Sequence, residues 1–184
     1  MIKKPIGVFI DSNVFVSYAR KEQNHGVCKN FIDTIITKLS NKKNIKFFAS
    51  RFSGVETASV LRRKKSRKDA EAFLFRKENI WKKIFLPLPP DPKETFEIED
   101  FITELIEIAL KFGTDFGDTI QTHTIETYKD RIDYIITNDK DFKKRLEKKY
   151  RRITIYYLPK ELNLFLKDIE NKIKDETKNK AQAN

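Results

Sequence analysis

Apolar residues in this chain fall into short unbroken runs separated by longer stretches with helical spacing. Residues 6–10 (IGVFI) form one such run, the signature of a strand buried on both faces. Residues 45–49 (IKFFA), 133–137 (DYIIT) and 153–158 (ITIYYL) read as three more strands. Between the first two, Val27, Phe31, Ile35 and Leu39 recur at helical spacing and predict a helix over 24–40. Ser50 is placed to cap a helix reaching about Lys65, and Ser66 with Asp69 resembles a capping box opening the next, to about Lys83. Leu86–Pro90 is expected to be extended, because its prolines exclude a regular central strand. Asp91-Pro92 then reads as an N-cap with proline at the first helical position, for a helix that Gly113 stops. Thr114 is the expected cap of the following helix, which carries Asp118. Residues 139–149 predict a basic helix. Leu162, Phe165, Leu166, Ile169 and Ile173 mark an amphipathic helix over 160–176, and no regular structure is expected from Lys178 onward.

Strands that alternate with helices predict parallel pairing and an α/β three-layer sandwich. No repeat or Gly/Ser linker divides the chain, so one domain is expected. In sheets of this kind ligands bind outside the carboxyl ends of the strands, where the strand order reverses. Asp11 and Asp139 both stand at such ends.

Composition narrows the function classes. The 184 residues carry a net charge of +11 and one cysteine, which excludes a disulfide framework and a thiolate zinc site. No apolar run approaches the roughly 18 residues needed to span a bilayer, and the N-terminus lacks a signal-peptide layout. A soluble, cytoplasmic protein without membrane partners is expected. The positive charge is clustered: residues 62–83 hold ten Lys/Arg against three acids, and residues 143–184 hold thirteen against six. Such blocks are the electrostatic footprint of a nucleic-acid binder, or else solvated helix faces.

Four carboxylates are hard to explain by folding alone. Asp11 follows its strand with Ser12 and Asn13, either of which could serve the turn equally well. Glu56 rises from the helix face shared by Phe52 and Val60, where a charge is costly. Asp118 and Asp115, three apart, both suit the positive end of a helix, and the pattern does not separate them. Asp139 competes with Asn138 and Asp141 as cap of its helix. A divalent Mg²⁺ or Mn²⁺ ion would compensate such a group, because it takes hard oxygen ligands. His25 and His123 have no partner at metal-ligand spacing, His123 reads as a core histidine, and Cys28 reads as a small core residue.

The segments FIDSNVF around Asp11, RFSGVETASVL around Glu56, FGDTIQTHTI around Asp118 and IITNDKDF around Asp139 together resemble the PIN-domain ribonucleases, including the VapC-type toxins. The resemblance spans residues 6–158. It implies a parallel sheet of five strands with helices on both sides. It also implies a metal-dependent endoribonuclease that holds Mg²⁺ or Mn²⁺ on Asp11, Glu56, Asp118 and Asp139. Asn13 and Thr137 would support the first and last carboxylates, while Asp115 and Asp141 compete for the third and fourth places. Residues 1–158 would form the nuclease domain, with 159–184 a basic helix and tail packed on it or trailing it. Arg62, Arg63, Lys64 and Lys65 are the candidate contacts to RNA, structured RNA included. A homodimer and an antitoxin are further candidate partners. The alternative is a non-catalytic RNA-binding or ribosome-associated module of the same fold. A receiver- or phosphatase-like domain with Asp11 as phospho-acceptor fits less well, since position 13 is Asn and Glu56 would have no role.

Overall fold

A computed structural model describes residues 4–21, 24–42, 44–75, 98–112 and 115–181. Strand β1 (Ile6–Ile10) leads into helix α1 (Ser12–Arg20). Helix α2 (His25–Asn30), a π-helical stretch (Phe31–Ile36) and α3 (Thr37–Ser40) follow, so the helix expected over 24–40 carries a wider turn in its middle. Next come β2 (Ile45–Phe48), α4 (Arg51–Lys64), α5 (Arg67–Phe75), α6 (Ile98–Phe112) and α7 (Phe116–Tyr128). A 3-10 turn (Lys129–Arg131) leads to β3 (Tyr134–Thr137), α8 (Lys140–Lys149), β4 (Thr154–Tyr157) and α9 (Leu158–Ala181).

The four strands are all parallel, in the order β2-β1-β3-β4. The sheet therefore has four strands among the described residues, where five were expected. Leu86–Pro90, the end of the second capped helix and the Asp91-Pro92 start lie outside the described residues. Two expectations are corrected. Asp115, not Thr114, is the N-cap of α7, because its side chain accepts from the Asp118 amide. The last helix also runs to Ala181, past Lys178. Among the described residues no helix is long and apolar enough to cross a membrane.

The period of two along each strand sends alternate side chains to opposite faces. Ile6, Val8, Ile10, Tyr134, Ile136 and Tyr156 join a core with α1, α2, α4, α5 and α9. Phe9, Phe48, Ile135 and Ile155 point the other way, into a core with Ile125 of α7 and Phe142 and Leu146 of α8. Within α9, Phe165 and Ile169 are fully buried, so this helix is part of the first core. Each large side chain buried in this way contributes about 1.5–3 kcal/mol. Gly7 is required by close approach: a Cβ there would lie 1.7 Å from the Arg131 carbonyl oxygen.

The strand order reverses at the β1/β3 pair. The chain steps from β1 to β2 on one side, then returns across β1 to β3 and β4. Helix α1 leaves β1 toward one core and α8 leaves β3 toward the other, opening a crevice at the carboxyl ends of these two strands. The Asp11 amide extends the ladder by donating to Ile136 O at 2.9 Å.

Candidate metal and nucleic-acid site

Asp11 occupies the N-cap position of α1 in an extended conformation, yet its side chain makes no cap bond. Its Oδ2 instead accepts from Thr137 Oγ1 at 2.7 Å, across the β1/β3 pair. The carboxyl group is fully buried, and burial pushes its pKa up to about 7. The Thr137 bond opposes that rise, the charges of Asp118 and Asp139 add to it, and a bond from Asn13 lowers it again. No Lys or Arg among the described residues pairs with it. It is a buried acid in need of a cation.

Thr137 ties the two strand ends together, since Oγ1 also accepts from the Asp139 amide at 2.9 Å. Asp139 Oδ1 accepts from the Asp141 and Phe142 amides, both at 2.8 Å, which caps α8 and fixes the side chain. Asp139 is therefore a cap and a neighbour of Asp11 at once. Asp141 lies 76% exposed and pairs with Lys144 on the surface.

Asp118 sits in the first turn of α7, with its side chain 14% exposed. Burial raises its pKa to about 6; Arg145 opposes this, and Asp115 and Asp139 reinforce it. Arg145 comes from the middle of α8 and donates from Nη2 to Asp118 Oδ2. Side chains on a helix tilt toward its N-terminus, so Arg145 reaches back toward the crevice, over the Phe142 ring. Nothing in the sequence singled out Arg145, because its partner stands 27 residues away. Its one legible mark was a place between the buried Phe142 and Leu146.

Glu56 lies in the second turn of α4, and its Oε2 is enclosed with no hydrogen-bond partner among the described residues. Asp11, Asp118 and Asp139 thus act on one another, with Asn13 and Thr137 bonded to Asp11, while Glu56 on α4 keeps an oxygen unsatisfied among the described residues. Among the described residues no three His, Cys, Asp or Glu side chains converge tightly enough to enclose an ion. The donor chemistry nevertheless fits a hard divalent ion: all four groups offer carboxylate oxygen, one of them orphaned and one buried without a counter-charge. Between α4 and α7, Gln121 Nε2 bonds Ser53 Oγ at 3.0 Å and Ser50 Oγ at 3.3 Å, a link that the sequence did not announce.

Arg62, Arg63, Lys64 and Lys65 are exposed at the end of α4 remote from its Ser50 cap. Arg62 lines an open depression between α4 and α5 with Val55, Ser59 and Arg67. His123 is buried, as expected of a core histidine, and Cys28 is fully buried, with burial pushing its thiol up to about 12.

The model of the family described as PIN domain matches residues 8–148, well over half of the chain. That span runs from within β1 to the end of α8 and contains all four carboxylates. No curated protein matches the chain.

Proposed function

The chain belongs to the PIN-domain family, a family of nucleases, and we propose that it is a metal-dependent endoribonuclease hydrolysing RNA phosphodiester bonds at the Asp11 end of the sheet. The observation that carries this reading is Asp11: fully buried at the reversal point, without a counter-cation among the described residues, and facing the charges of Asp118 and Asp139. A fold seldom keeps an acid in such a place unless a cation or a substrate answers it.

Asp11, Glu56, Asp118 and Asp139 are the groups that would hold Mg²⁺ or Mn²⁺. Such an ion would supply Lewis acidity toward a phosphoryl oxygen and make a bound water more acidic. The chain's own contributions are orientation and charge. Thr137 fixes the Asp11 carboxylate, the α8 cap fixes Asp139, and Asn13 supports Asp11. Arg145 offsets the charge of Asp118, which lowers the repulsion a phosphate meets on approach. Arg62, Arg63, Lys64 and Lys65 are assigned to the RNA backbone. In this reading residues 1–158 form the catalytic unit with 159–184 attached to it, acting in the cytoplasm. A homodimer and a VapC-like pairing with an antitoxin are the protein partners it admits.

The test is a cleavage assay on single-stranded RNA, structured RNA and DNA with added Mg²⁺ or Mn²⁺. Glu56→Gln and Asp139→Asn should each lose most activity while circular dichroism stays native. Full activity in either variant removes that residue from the site. RNA binding without cleavage in the wild type would identify a non-catalytic module.

A further inference from the structure

Helix α8 starts beside the carboxylates at Asp139 and runs back toward the amino ends of the strands, because β4 must enter parallel to β3. Its ten residues span about 15 Å. Eight basic residues lie between positions 140 and 152. Four of them are neutralised locally: Lys143 by Glu161 and Glu147, Lys144 by Asp141, Arg145 by Asp118, and Lys149 by Glu126. Lys140, Lys148, Arg151 and Arg152 have no ion pair among the described residues, and all four are exposed. Lys140, Lys144 and Lys148, each four apart, form one outward stripe.

The stripe ends at a cavity of about 310 Å³ at the opposite end of the sheet from Asp11. Arg151, Arg152, Lys149 and Lys129 line it with Tyr150 and Ile153, against only Glu126 and Asp130. Glu126 is already occupied by Lys129, Lys149 and the Tyr150 hydroxyl at 2.7–2.9 Å. Its carboxyl is held down at about 2; burial, the largest influence, pushes it up, and these three bonds overcome it. Arg151 and Arg152 therefore face the cavity rim without an ion pair among the described residues, with Asp130 as the lining acid besides the occupied Glu126.

The geometry points to a second nucleic-acid site: the α8 stripe and this cavity bind the phosphate backbone of the RNA strand leading away from the carboxylate crevice. A polyanion supplies the counter-charge that Lys140, Lys148, Arg151 and Arg152 lack. The stripe is continuous with Asp139, so a strand bound along it passes the acidic end in a set direction. The inference takes the identity of its ligand from the proposed nuclease function.

Binding of a short fluorescent single-stranded RNA is followed by anisotropy across a series of KCl concentrations. The protein is the full chain with Asp11→Asn in EDTA, so that nothing is cleaved. The fourfold variant Lys140→Gln, Lys148→Gln, Arg151→Gln, Arg152→Gln should bind more weakly. Its slope of log K against log salt should also be shallower by about 0.7 per lost phosphate contact, or about 2–3 for the four. Replacing Arg62, Arg63, Lys64 and Lys65 by Gln serves as the comparison. An unchanged slope in the fourfold variant, with native circular dichroism, overturns the inference while leaving the nuclease reading intact. If the Asp11→Asn chain binds no RNA and the wild type cleaves none, both fall together.

Discussion

Replacing Asp11 by Asn should stabilise the metal-free protein. Burial lifts the Asp11 carboxyl from 3.8 to about 7, and each tenfold step in acidity corresponds to about 1.4 kcal/mol. Ionised Asp11 thus costs the metal-free fold up to about 4 kcal/mol. The sign follows from proton counting. Between 3.8 and about 7 the folded chain keeps a proton that the unfolded chain has released, so stability falls as pH rises through that window. Asn removes this term and can still accept from Thr137, although it adds donors that find no partner in place. A net gain of about 1–3 kcal/mol at pH 8 remains after that loss, equivalent to several degrees in melting temperature for a chain of this size. At pH 4 the advantage should vanish. Urea denaturation in EDTA at both pH values measures it. Adding Mn²⁺ should then stabilise the wild type by mass action and leave the Asn variant nearly unchanged. A variant that is less stable than wild type at pH 8, or equally stabilised by Mn²⁺, would refute the reasoning.

Other outcomes follow from the same contacts. Arg145→Met should leave Asp118 without its partner and destabilise the metal-free protein by about 1.5–3 kcal/mol, and adding Asp118→Asn should restore most of it in a double-mutant cycle. Asp115→Ala removes the α7 cap and should cost about 1 kcal/mol in denaturant while RNA cleavage persists, whereas Asp118→Asn should abolish cleavage. Gly7→Ala cannot be accommodated beside the Arg131 carbonyl and should destabilise by about 3 kcal/mol or more, seen as loss of soluble, folded protein.

The alternation of strands and helices was legible because burial on both faces leaves short apolar runs: β1 and β3 are buried throughout, while β2 is interrupted by the exposed Lys46 and β4 opens on the exposed Thr154. Helix starts were legible where a side chain caps its own helix, as at Ser50, Ser66 and Asp139. Thr114 misled because two capping residues stand side by side and only the geometry assigns the role to Asp115. The π-helical stretch left no trace, since Phe31, Ile35 and Leu39 keep helical spacing through it. At the site, strand ends announced Asp11 and Asp139, but long-range pairing is silent in a sequence. Arg145 and Gln121 meet partners 27 and about 70 residues away, so only the fold reveals that Asp118 has a cation and that Glu56 has an orphaned oxygen among the described residues.

The most direct test of a metal-dependent nuclease is one gel. Purified wild type and Asp11→Asn, prepared side by side, are incubated with end-labelled RNA in Mn²⁺ and again after EDTA. Cleavage by the wild type in Mn²⁺ alone, absent in EDTA and absent in the variant, is the predicted result. Equal cleavage by both proteins, or cleavage that survives EDTA, would contradict it.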